Sequence, residues 1–312
     1  MSDPVIRTEA LTKTYGNAMA VDHLDLTVEA GEVFGLLGPN GAGKTTTILM
    51  MLGLTEPTAG TISILGHNPL NDPLTVKRHV GYLPDAVGFY DHMSARENLL
   101  YTAKLAGFSR DEAQDHIDAA LHRVRLDEVA GNKVASYSRG MRQRLGLAEV
   151  MMKRSDVAIL DEPTSGLDPQ STHELLDIIR GLKSDGVAVL VSSILLERAQ
   201  CICDWVMLFN KGRIALQGTL PELSRQVLGG GYAIEVETTR TDVPAALDGV
   251  PGIRQVVAEG PNRYRVVAES DLRSLIATRL VGKGADLLRL SVVEPSLDDI
   301  YERYFATQRS AA

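Results

Sequence analysis

Short runs of consecutive apolar residues alternate with stretches of helical periodicity through the first two-thirds of the chain. Val33-Phe34-Gly35-Leu36-Leu37, Val157-Ala158-Ile159-Leu160 and Val187-Ala188-Val189-Leu190-Val191 have no polar position. Such runs predict strands buried on both faces of a parallel sheet. A Gly-rich loop follows the first run, and a helix is predicted from about 43 to 52. Asp168 and Pro169 predict a helix start, with the acid at the N-cap and proline at the first position, and Gly186 closes the turn that follows. This alternation predicts α/β architecture. From about 94 to 150 the pattern changes to helix after helix. Ser94 with Glu97 and Ser109 with Glu112 have capping-box spacing, so a helical insertion in the α/β domain is the simplest reading.

Gly229-Gly230-Gly231 is the best linker signal. Beyond it, strand-like runs at 232–237, 253–259, 264–268 and 287–293 interleave with helical stretches near 243–249 and 271–282. The order β-α-β-β-α-β predicts a small α+β domain of ferredoxin-like type, with a terminal helix over 296–305. The expected division is an α/β domain over 1–228, holding a helical subdomain at about 86–150, and an accessory domain over 232–308.

A length of 312 residues suits two domains, each long enough to bury a core. With 44% hydrophobic and 23% charged residues, disordered and collagen-like chains are excluded. No uncharged apolar stretch approaches the ~18 residues of a membrane span. Met1-Ser2-Asp3-Pro4 leads into no apolar segment, so no secretory signal is read. The net charge of −8 argues against broad nucleic-acid binding, although local basic patches stay open. Cys201 and Cys203 are too few for a disulfide framework or a metal site; they read as structural thiols in a reducing cytosol.

Chemistry enters with Gly38-Pro39-Asn40-Gly41-Ala42-Gly43-Lys44-Thr45, which fits G-x-x-x-x-G-K-[ST] between a strand and a helix. In such a loop the glycines let backbone N–H groups reach phosphates, and the helix N-terminus favours negative charge. The ATP-binding segment is therefore Gly38, Asn40, Gly41, Ala42, Gly43, Lys44, Thr45 and Thr46, with Lys44 on the β- and γ-phosphates and Thr45 on Mg²⁺. Asp161 and Glu162 end a buried strand. Asp161 suits Mg²⁺, and Glu162 suits a general base that polarises the attacking water. The plainer reading is that both acids merely end the strand.

Tyr137-Ser138-Arg139-Gly140-Met141-Arg142-Gln143-Arg144-Leu145 resembles the ABC signature motif, and Ser165-Gly166-Leu167-Asp168 resembles the D-loop. By these motifs the chain is identified as a member of the ABC ATPases, the nucleotide-binding subunits of transporters, over residues 5 to about 220. The form YSRGM, the segment Gly81-Tyr82-Leu83-Pro84-Asp85 and the C-terminal Glu294-Pro295-Ser296-Leu297-Asp298-Asp299 are similar to type-2 exporters of drugs, lipids or polysaccharides. The resemblance implies an ATP sandwiched between two subunits, with Ser138, Gly140, Met141 and Asp168 acting in trans; the second subunit is another copy or a paralogue. It implies a permease on a separate chain, a peripheral place on the cytoplasmic face of the membrane, and no nucleic acid. Tyr15 is similar to the aromatic that stacks on adenine, or is simply a strand-end tyrosine. Gly88-Phe89-Tyr90-Asp91-His92-Met93 stands where the permease docks, or else packs into the core.

Three positions depart from the family pattern. Arg139 replaces the first of the usual paired glycines. Asp85 stands where glutamine usually touches Mg²⁺ and water; its carboxylate is a hard donor, but shorter and charged. Ile194 occupies the place of the switch histidine and cannot donate to the γ-phosphate. This third departure keeps open a slow or regulatory ATP-binding module, while a soluble non-transport ATPase is a more remote alternative.

Overall fold

The computed structural model describes residues 4–193, 195–228, 231–293 and 296–310. Ile194, Gly229 and Gly230 of the expected linker, and Glu294 and Pro295 of the C-terminal motif lie outside them. The chain divides into two compact units, Met1–Gly218 and Thr219–Ala312.

The first unit opens with β1 (Ile6–Tyr15), β2 (Ala18–Val28), β3 (Val33–Leu37), α1 (Lys44–Met51), β4 (Ala59–Ile64), α2 (Pro73–His79) and β5 (Val80–Leu83). Helices α3 (Ala95–Leu105), α4 (Arg110–Arg123) and α5 (Arg139–Met152) follow. The unit closes with β6 (Val157–Asp161), α6 (Pro169–Ser184), β7 (Ala188–Ser193), α7 (Leu196–Gln200), β8 (Trp205–Asn210) and β9 (Arg213–Gly218). Both predicted capping boxes form, at Ser94/Glu97 and Ser109/Glu112. Ser94 and Ser109 accept the N3 backbone N–H, and the glutamates accept the cap N–H in return.

A six-stranded sheet in the order β5-β6-β7-β3-β8-β9 forms the core. Its strands are parallel except β9, which pairs antiparallel with β8. Every residue of β3, β6 and β7 is buried, as their apolar runs predict. Strand β7 lies between β3 and β6, and its register sets Ser192 beside Leu36 on one side and Asp161 on the other. The Gly-rich loop and the paired acids thus emerge at the C-terminal ends of parallel strands, where α/β sheets bind ligands. A second, antiparallel sheet of order β2-β1-β4 packs its apolar side into the cluster around Phe34, Ile48 and Phe209.

The second unit comprises α8 (Leu220–Leu228), β10 (Tyr232–Thr238), α9 (Val243–Leu247), β11 (Ile253–Gly260), β12 (Arg263–Ala268), α10 (Arg273–Gly282), β13 (Leu287–Val293) and α11 (Leu297–Ser310). Its sheet is antiparallel, ordered β11-β12-β10-β13, around a core that includes Ile234, Val236, Val266, Ile276 and Leu280. That is the ferredoxin-like strand order. Helix α8 falls in this unit, where it packs on α11, so the division comes at 218/219 rather than after the expected 228.

Candidate functional site

The loop between β3 and α1 is pressed against its neighbours. A Cβ on Gly38 (φ +149°) would stand 2.5 Å from the Phe209 carbonyl oxygen, and one on Gly43 (φ +113°) 2.4 Å from that of Ala20. Only glycine fits both the dihedrals and the space at these positions. Gly41 (φ +75°) faces open space, leaving a concave cradle at the helix N-terminus. Asn40 and Thr45 are exposed, Thr46 is half-buried and Ala42 is buried. Lys44 is only 5% exposed. Its ammonium donates to the carbonyls of Gly38 (2.6 Å) and Pro39 (3.2 Å) and stands 3.4 Å from Glu162 Oε1. A buried charge needs such partners, because desolvation alone would cost several kcal/mol.

Asp161 is 4% exposed and accepts from the Ser192 hydroxyl at 2.5 Å. The same Ser192 oxygen accepts the Glu162 N–H at 2.9 Å. Glu162 has φ +48°, a left-handed conformation unusual for a side-chain-bearing residue, and in it the carboxylate meets Lys44. Ser193 contributes its carbonyl to the Gly38 N–H at 3.2 Å. The fold therefore brings the two residues with expected catalytic roles, Lys44 and Glu162, into contact, with Asp161 beside them. Ser192 and Ser193, which make these connections, were missed by sequence reasoning; their one signal is a polar pair ending an otherwise apolar strand.

A second group gathers where α5 and α6 begin. Ser138 caps α5 by accepting the Met141 N–H at 3.2 Å. Asp168 caps α6, accepting from the Ser171 N–H (2.9 Å) and hydroxyl (2.6 Å), and these bonds hold its carboxyl below its ordinary value. A Cβ on Gly140 would lie 2.7 Å from Ser171 Oγ, so the two helix N-termini abut. Ser138, Gly140, Met141 and Asp168 thus form one patch. Among the described residues, no hydrogen bond or ion pair joins them to Lys44, Thr45 or Asp161.

Tyr15 ends β1 and is 51% exposed, with the Lys13 ammonium 4.9 Å from its ring centre. Its backbone pairs with Ala18, two residues before the Ala20 carbonyl that abuts Gly43. Asp85 has its carboxylate 3.7 Å from the Arg139 guanidinium. Asp161 and Asp85 both act on Tyr82, whose phenol burial pushes up to about 12 with their charges adding. Phe89 packs on the core, whereas Tyr90 is exposed and meets Tyr101 edge-on at 5.4 Å. The 88–93 segment thus serves core and surface at once. Both cysteines are free, and burial pushes the Cys203 thiol up to about 12.

The ABC transporter family model matches residues 21–165, a span that contains the Gly-rich loop and Glu162. Over 300 residues the chain is 37% identical to the uncharacterised ABC transporter ATP-binding protein YxlF of Bacillus subtilis (strain 168), spanning 95% of this chain and 98% of that one. The chain belongs to the ABC transporter ATP-binding proteins. It is 33% identical to the bacitracin transport ATP-binding protein BcrA of Bacillus licheniformis, over 95% of this chain and 96% of that one. To the doxorubicin resistance ATP-binding protein DrrA of Mycobacterium tuberculosis it is 31% identical, over 96% and 93%. A solved ATP-binding subunit of an ABC transporter matches with a TM-score of 0.66 at 32% identity, over 71% of this chain and 92% of that one. An ATP-binding cassette solved as a dimer with ADP and Pi shares the fold, with a TM-score of 0.63 at 21% identity, over 69% and 98%. As an ABC transporter subunit the protein is an ATPase that powers a separate permease. No helix of the described residues is long and apolar enough to cross a membrane.

Proposed function

We propose that this ABC subunit drives an exporter from the cytoplasmic face of the membrane. Two such subunits close on two molecules of Mg-ATP, each held between the Lys44–Glu162 cluster of one chain and the Ser138–Asp168 patch of the other. The observation that carries this reading is that two separate polar clusters lie in one chain, one at strand ends and one at helix N-termini. The relatives named for bacitracin transport and doxorubicin resistance support export.

The donors suit Mg²⁺. Among the described residues there is no group of three or more His, Cys, Asp or Glu that would enclose a metal. A hydroxyl on the first turn of α1 (Thr45) and one buried carboxylate (Asp161) are hard oxygen donors, and Mg²⁺ is commonly held by one or two carboxylates plus substrate phosphates. Bound there, the ion would offset negative charge on the transferring phosphoryl group. Lys44 exchanges its loop carbonyls for phosphate oxygens. Glu162 takes a proton from the attacking water, and Ser192 fixes the backbone from which Glu162 projects. The partner's α5 N-terminus presents backbone N–H groups to the γ-phosphate.

The permease surface is assigned to the exposed Tyr90 and Tyr101 and to a neighbouring cavity of about 590 Å³ lined by Leu74, Lys77, Arg78, Leu105 and Phe108. Glu162→Gln should hold the closed dimer by slowing hydrolysis. Light scattering in Mg-ATP, with the permease present, is expected to show that dimer; a chain that stays monomeric there would count against the sandwich.

A further inference from the structure

Two departures from the family pattern face each other. Asp85, in place of glutamine, and Arg139, in place of glycine, carry opposite charges 3.7 Å apart, Oδ1 to Nη2. The contact is built from both sides. Gln143, one turn further along α5 and 2% exposed, directs its amide nitrogen to the Asp85 carbonyl at 3.4 Å. The Arg139 guanidinium lies over Gly166, where a Cβ would be 2.9 Å from its central carbon, and Gly166 has φ +67°. Arg139 therefore touches the loop after β5 and the segment leading into α6, while itself opening α5.

We infer that Arg139 and Asp85 form an electrostatic latch between the signature helix and the loop after β5, and that Mg²⁺ bound with nucleotide competes with Arg139 for Asp85. This rests on the Mg-ATP sandwich proposed above. Strands β5 and β6 are neighbours in register, Leu83 beside Leu160, so Asp161 at the end of β6 and Asp85 two residues past β5 leave the same edge of the sheet, and the charges of both reach Tyr82. A divalent cation held by Asp161 is close enough to draw the Asp85 carboxylate off the guanidinium. Both members of the pair are more than half exposed, 53% and 56%. Such pairs are weak and easily exchanged, which suits a contact that must break. The latch also has a direction. On the sandwich reading, Asp85 belongs to the Asp161 edge of its own chain's site, whereas α5 serves the nucleotide of the partner. Filling one metal site thus releases the helix that completes the other.

The test is a double-mutant cycle on the full chain, saturated with the non-hydrolysable analogue AMP-PNP and titrated with Mg²⁺ by calorimetry. Arg139→Ala is expected to lower the half-saturating Mg²⁺ concentration about two- to fivefold, the span of an exposed ion pair. Asp85→Asn raises that concentration, and adding Arg139→Ala to it changes nothing further. Arg139→Lys, which keeps the charge, stays near the parent value. An equal shift from Arg139→Ala in both backgrounds would overturn the latch, because Arg139 would then act through its bare charge alone. Thermal melts of the same four proteins without nucleotide provide a second readout. The singles and the double should fall together by about 1–3 °C, and additive shifts would overturn the pairing itself. Should AMP-PNP fail to bind any of them, the sandwich reading falls, and the melts alone decide the pairing.

Discussion

The two residue groups proposed as halves of the ATP site are made in opposite ways. At the strand ends, Lys44 and Asp161 are almost fully buried, and their charges are met within the chain by Glu162, loop carbonyls and Ser192. At the helix starts, Asp168 is exposed and satisfied by its own first turn, through Ser171, while the α5 N-terminus opens outward. A buried charge demands an internal partner. An exposed helix N-terminus can wait for an anion brought by another molecule. The first is complete as a cradle in one chain; on the proposed reading, the second acts only on something docked against it.

The contrast is broken most directly at Lys44. Lys44→Ala removes the cradle's buried cation and should abolish Mg-ATP binding in a fluorescence titration; unchanged affinity would refute the assignment of the loop. Ser192→Ala is expected to act next most strongly. It deletes one oxygen shared by Asp161 and Glu162 while leaving the loop intact. A hydrogen bond to a charged group is worth about 1.5–3 kcal/mol. Steady-state ATPase should therefore lose about 10- to 150-fold in kcat, with ATP affinity little altered. Gly140→Ala should reverse that profile for a single chain. Its methyl group would collide with Ser171 Oγ and spread the two helix starts, so monomers bind ATP normally while ATP-driven dimerisation weakens. The smallest effect is expected beyond Gly218. A chain ending there keeps both half-sites and should bind Mg-ATP unchanged, whereas one ending at Gly230 retains α8 without α11 and should aggregate more in a light-scattering melt.

Much of this was legible from local pattern. The run 33–37 followed by Gly38–Thr45, the acids ending 157–162, the capping boxes and the β-α-β-β-α-β order each announce themselves within a short window, because periodicity and caps are local physics. The front sheet was not. Alternation in β1 is broken by register shifts around Ala10, which has φ +45°, so no clean period of two survives. Helix α8 precedes the glycine run yet groups with the second unit, since its own sequence does not reveal that it packs on α11. Ser192 looked like the tail of a strand until the register set β7 between β3 and β6. The Asp85–Arg139 pair was visible only as two separate oddities, because the chain between them folds through α3 and α4 before they meet.

The left-handed backbone of Glu162 has an evolutionary edge. Non-glycine residues held in that region carry a strain of about 1–3 kcal/mol, while glycine, and to a lesser degree asparagine, adopt it more readily. Selection for thermal stability alone would therefore drift toward glycine or asparagine at 162 and silently discard the proposed base. Libraries screened only for folding should be enriched in those two residues there, and a glutamate that persists marks a lineage still under pressure to hydrolyse ATP.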